Sequence, residues 1–124
     1  MFYNLSHTFL ITVFAVSFCI PPNFVLSQDD RPCGPEGRNG ILSRLIPQEF
    51  HGADFRPACR THDACYDTFG SSRRECDRQF RDDLLRACDC ADRPIACRIV
   101  ARNMARATRL GGGSAFRRSQ SAFY

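Results

Sequence analysis

Ala58-Cys59-Arg60-Thr61-His62-Asp63-Ala64-Cys65-Tyr66-Asp67, followed about one helix's length later by Cys76-Asp77-Arg78, decides how the rest of the chain is read. It sets a histidine and carboxylates between cysteines able to lock their geometry. Pro57 suits a first helical turn, Asp54 is available as a cap before it, and Gly70 is a natural stop after Phe69. A helix is therefore expected over residues 56–69. Ser72 followed three residues later by Glu75 has the form of a capping box, and Cys76, Phe80, Leu84 and Cys88 recur every four residues. That pattern predicts a second helix over 73–87, with Phe80 and Leu84 in the core. The link Gly70-Ser71-Ser72 is too short for anything but a reversal, so the two helices should run antiparallel and packed together.

On the first helix Cys59, His62 and Cys65 fall near one face and Tyr66 lies a turn beyond His62, whereas Asp63 points about 100° away. Imidazole and carboxylate at 62 and 63 therefore serve different places. A Cys65–Cys76 bridge across the hairpin would draw Asp77 toward the His62 side. A carboxylate there fixes the tautomer and orientation of an imidazole, which can take a proton from water near neutral pH. These are the parts of a metal-assisted hydrolase.

Upstream, Phe9 to Ile20 is almost wholly apolar, runs for about a dozen residues where a membrane span needs roughly 20, and gives way to Pro21-Pro22. It reads as a signal peptide, residues 1–27, cleaved after Val25-Leu26-Ser27 and taking Cys19 with it. The remaining chain, Gln28 to Tyr124, is long enough for one domain with a marginal core. Cysteines at 33, 59, 65, 76, 88, 90 and 97 then read as the disulfide framework of a secreted, extracellular protein, with one thiol left over. Every basic side chain is Arg, seventeen against thirteen acids, for a formal net charge of +4. Such a balance favours anionic surfaces.

Residues 32–54 are rich in Gly and Pro, with Cys33-Gly34-Pro35-Glu36-Gly37 and Asn39-Gly40, and carry no helical or alternating pattern. They read as a long ordered loop, and a loop of that length in a small domain needs a task, such as binding metal through backbone carbonyls. Past a cysteine-bearing turn at 88–97, a third helix is expected over 98–110. Arg98, Arg102, Arg106 and Arg109 repeat along one of its faces, opposite Val100, Met104 and Ala107. From Gly111-Gly112-Gly113 onward, residues 111–124 read as a disordered tail in which Phe116, Phe123 and Tyr124 are sparse.

Taken together, Cys59-x-x-His62-Asp63-x-Cys65-Tyr66, Cys76-Asp77-Arg78 and the Cys33–Gly37 loop resemble secreted phospholipase A2, and the short connection between helices is most similar to the group XII and related small forms. The resemblance covers roughly Cys33 to Cys88. It implies an all-α, disulfide-rich fold, a domain over 28–110, in which two antiparallel helices carry the active site behind a calcium-binding loop. It implies calcium-dependent hydrolysis of the sn-2 ester of glycerophospholipids, with His62 as general base and Asp77 as its orienting partner. Asp63 and the carbonyls of Pro32, Gly34 and Glu36 would bind Ca2+, the Gly34 amide would stabilise the oxyanion, and Tyr66 would hydrogen-bond Asp77. Bridges Cys33–Cys59 and Cys65–Cys76 are implied as well. The family's usual bridge from the residue before Cys59 is absent at both ends, where Ala58 and Asp83 stand. One pair among Cys88, Cys90 and Cys97 closes the turn.

Two departures shape the alternative. Glu36 stands where the family loop has glycine, and a mature chain starting at Gln28 has no room before Cys33 for the family's amphipathic helix, so a lipid-binding wall would draw on Ile41, Leu42, Leu45, Ile46, Phe50 and Phe55, unless these are core. The partner expected either way is a phospholipid membrane or micelle surface, preferably anionic, and not a nucleic acid. The rival function is a non-catalytic member of the same architecture that binds membranes or a receptor through its basic surface. A zinc site is not expected, because no second histidine lies at ligand spacing and exported thiols oxidise. His51, standing alone, is read as structural.

Overall fold

Arg56–Tyr66 (α1) and Arg73–Ala87 (α2) form the antiparallel pair in a computed structural model that describes residues 31–34 and 44–123. The Asp54 carboxylate accepts the Arg56 N–H at 3.0 Å and Pro57 sits in the first turn, so α1 starts as its sequence dictates. It ends three residues short of the expected stop. From Thr68 on, the backbone tightens into i to i−3 bonds, Thr68 N–H to the Cys65 carbonyl and Ser71 N–H to the Thr68 carbonyl, and Gly70 turns the chain at φ +74°. Helix α2 has the expected bounds without the expected cap. Ser72 is extended and makes no side-chain cap bond, and the Glu75 carboxylate pairs with Arg78 one turn on instead of reaching back to Ser72.

A single 3₁₀ turn, Cys88–Cys90, leads to Pro94–Gly111 (α3). With Pro94 in its first turn, α3 begins four residues before the expected start. It packs along α2 through Cys97, Ala101 and Ala105, flanked by half-buried Val100 and Met104. Ala107, expected on the apolar side, is exposed; the buried stripe follows the i, i+4 row of Cys97 instead.

The tail is a correction. Gly113–Ser121 form a further helix (α4) that packs on the C-terminal end of α1. Gln120 satisfies the groups left open where α1 stops: its amide donates to the Tyr66 carbonyl at 2.8 Å and the Thr68 carbonyl at 2.9 Å, and its oxygen accepts the Gly70 N–H at 3.0 Å. Ser119 adds a bond to Asp67, and Phe116 meets Tyr66 edge-on at 5.1 Å. Gly112 lets the chain come this close, since a Cβ there would lie 2.7 Å from both the Thr108 carbonyl and the Tyr66 hydroxyl.

The expected loop also contains structure. Glu49–Phe50 (β1) and Ala53–Asp54 (β2) pair antiparallel, Glu49 with Asp54 and Phe50 with Ala53, across a turn in which His51 and Gly52 both have positive φ. His51 is thus a turn residue, exposed, whose carbonyl accepts the Asp92 N–H. Residues 35–43, including Glu36, Ile41 and Leu42, lie outside the described residues. Of the other apolar residues considered for lipid contact, Phe55 is fully buried and Ile46 and Phe50 pack against the core, leaving Leu45 exposed.

The core consists of Phe55, Phe80 and Leu84 surrounded by alanines and by Cys33, Cys59, Cys88 and Cys97. Disulfides join Cys33 to Cys59, Cys65 to Cys76 and Cys88 to Cys97, the last being the pair that closes the turn. No described cysteine is a free thiol, Cys90 included, so the leftover thiol expected from the count is not found among them.

Candidate active site

The Cys65–Cys76 bridge fastens the last turn of α1 to the first turn of α2. One residue beyond each half-cystine, Tyr66 and Asp77 face each other in the interior, and the Tyr66 hydroxyl donates to Asp77 Oδ1 at 2.6 Å. The same oxygen lies 2.8 Å from His62 Nε2. His62 is 7% and Asp77 8% exposed, so this pair is shielded from competing water. A carboxylate can only accept, which puts the imidazole proton on Nε2 and leaves the Nδ1 lone pair available to another donor.

Aromatic rings frame the imidazole. Tyr66 stands 4.1 Å and Phe80 4.6 Å from it, ring centroid to centroid. Burial and then its bond to Asp77 push the Tyr66 phenol up to about 12, so it remains a donor throughout the neutral range. The second carboxylate oxygen, Oδ2, faces Arg73 Nε at 3.6 Å across one turn of α2.

Asp63 is on the exposed side of α1, away from this pair. Cys33 is anchored twice: its sulfur to Cys59, one turn before Asp63, and its backbone to Gln48, whose amide donates to the Cys33 carbonyl at 2.8 Å and whose oxygen accepts the Cys33 N–H at 3.1 Å. Gly34 follows at φ 139°, a backbone state that side-chain-bearing residues rarely adopt. Pro32 is half-buried beside it. The Cys33–Cys59 bridge ties this loop to α1 one turn before Asp63, and among the described residues no cluster of His, Cys, Asp and Glu side chains is arranged to hold a metal ion.

Arg73, Gln48, Gln120 and Gly112 support the site without standing out in the sequence. Only Arg73 carried a local signal, its position four residues before Asp77. Gln48 and Gln120 act across 15 and about 50 residues, beyond any spacing rule.

No family model matches the chain, and no solved structure matches it. Among curated proteins it is 50% identical over 70 residues to Conodipine-P3 of Conus purpurascens. The chain resembles the conodipines. Conodipine-P2 and Conodipine-P1 of the same organism are each 48% identical over the same length. The matched segment covers 52% of this chain and 37% of each relative, so the chain spans little more than a third of the conodipines it matches.

Proposed function

We propose that the protein is a secreted, calcium-dependent phospholipase A2 that hydrolyses the sn-2 ester of glycerophospholipids. The observation that carries this reading is the buried His62–Asp77 pair at 2.8 Å with Tyr66 on the same oxygen. His62 Nδ1 takes a proton from water as the water oxygen bonds to the acyl carbon. The imidazolium, held by Asp77, returns that proton to the glycerol oxygen as the ester bond breaks, giving a fatty acid and a lysophospholipid. Tyr66 keeps the carboxylate in register through both transfers, and the Gly34 amide would donate to the oxyanion. Asp63 with the carbonyls of Pro32, Gly34 and Glu36 would hold the calcium ion, which when bound supplies positive charge to the lipid phosphate and the ester carbonyl.

The partner in this reading is an anionic phospholipid surface, met through the outer face of α3. Ile95, Ile99 and Leu110 are exposed there among Arg98, Arg102, Arg106 and Arg109, all within about 120° of the helix circumference at 100° per residue. Arg98 is paired with Asp89 at 2.9 Å, while α3 itself carries no acid, and apolar side chains set among arginines suit the boundary between headgroups and acyl chains. The same face favours the alternative, a non-catalytic membrane-binding protein. Fatty acid release from mixed phospholipid vesicles, with and without millimolar calcium, separates the two. Release that stops with EGTA supports the enzyme; vesicle binding with no release at any calcium level overturns it.

A further inference from the structure

The geometry points to Arg73 as the positioning residue that fixes the Asp77 carboxylate and couples it to the C-terminal helices; this rests on the reading of His62 and Asp77 as the hydrolytic pair. Asp77 Oδ1 is shared by His62 and Tyr66, so two donors converge on one oxygen and leave the carboxylate a rotation about its own bond. Oδ2 decides whether that rotation occurs. The charged group facing it is Arg73, with Nε at 3.6 Å. That nitrogen is buried and makes no hydrogen bond, and the carboxylate oxygen stands a few tenths of an ångström beyond bonding range from this orphaned donor.

The far end of the same guanidinium is fixed elsewhere. Arg73 Nη2 donates to the Arg109 carbonyl at 2.5 Å, in the last turn of α3, where helix carbonyls lack partners and a cation is favoured. The chain then passes close: a Cβ at Gly113 would lie 3.0 Å from Arg73 Nη1. One planar, five-donor group thus spans α2, the junction of α3 with α4, and the buried carboxylate. A lysine could supply the charge near Oδ2 but not both contacts together.

The test compares Arg73→Met and Arg73→Lys with the parent in steady-state hydrolysis of phospholipid vesicles and in the proton NMR signal of the His62 Nε2–H, assigned by its loss in His62→Gln. A misplacement of under 1 Å in a proton-transfer partner is enough to cost roughly one to two orders of magnitude in rate. Arg73→Met is therefore expected to lower kcat about tenfold or more with KM changed less than twofold, and to shift or broaden the His62 signal. Arg73→Lys should recover part of both. Should Arg73→Met fail to fold, Arg73→Lys alone must show the intermediate kcat and the displaced signal. An unchanged His62 signal overturns the assignment, whether kcat falls or not, as does a loss confined to KM. A parent protein inert toward phospholipid would instead remove the hydrolytic reading, and the NMR comparison would still decide whether Arg73 positions Asp77.

Discussion

At the scale of single residues, the site depends on one carboxylate oxygen receiving two donors in a place largely shielded from solvent. Tyr66 is the more telling of the two, because its fold-induced shift can be read directly. Its phenol is raised from about 10 to about 12 by burial and by Asp77, which means that the folded state favours the protonated form. The stability this contributes is fully present below pH 10 and is lost as pH rises from about 10 toward 12. Ultraviolet titration should therefore give a difference between parent and Tyr66→Phe that is centred near pH 12; a difference centred near pH 10 would contradict the buried contact. His62 and Asp77 were legible because their spacing to cysteines at 65 and 76 fixes where each must point once the bridge forms. Arg73 and Gln48 were not, because each is defined by a neighbour that only the folded chain supplies.

At the scale of elements, α2 was readable to its ends, since a four-residue apolar repeat flanked by a short reversal leaves little choice. The end of α1 and the whole of α4 were not, and the cause is the same. Glycines at 111–113 read as a breaker, but Gly112 is there for close approach, and the helix beyond it supplies Gln120 to the open carbonyls of Tyr66 and Thr68. Gly112→Ala would force a methyl group to 2.7 Å from both a carbonyl and the Tyr66 hydroxyl, an overpacking that typically costs about 1–3 kcal/mol. We expect a lower melting temperature by circular dichroism and a weaker Tyr66–Asp77 contact, whereas an unchanged melting temperature would argue against α4 seating on α1. The hairpin Glu49–Asp54 escaped notice because two residues per strand give no alternation to detect. On α3, the arginine face is all exposed, as its spacing indicated. Reversing two charges there, Arg102→Glu with Arg106→Glu, removes two attractive contributions of about 1 kcal/mol each and adds repulsion, so sedimentation with anionic vesicles should weaken by at least about tenfold. Binding unchanged by both reversals would place the lipid contact on another face.

At the scale of the whole molecule, the core is small for the work it does, with Phe55, Phe80 and Leu84 as its large side chains and half-cystines filling much of the rest. Such a chain relies on covalent ties. The bridges close segments of 26, 11 and 9 residues, each worth roughly 2–4 kcal/mol by restricting the unfolded chain. Since a domain of this size has only about 5–15 kcal/mol in total, reduction should unfold it, and loss of helical circular dichroism on adding dithiothreitol would show this. A reduced chain with its helical spectrum intact would mean that packing alone suffices. The same ties set the geometry: Cys65–Cys76 brings Tyr66 opposite Asp77, and Cys33–Cys59 fastens the segment that leads into Gly34 to α1, one turn before Asp63. The most direct measurement of the central claim is the initial rate of fatty acid release by His62→Gln from calcium-containing phospholipid vesicles, with its circular dichroism matched to the parent. A folded variant with release at the uncatalysed background is the expected result, and parent-like release would show that the imidazole is not the base.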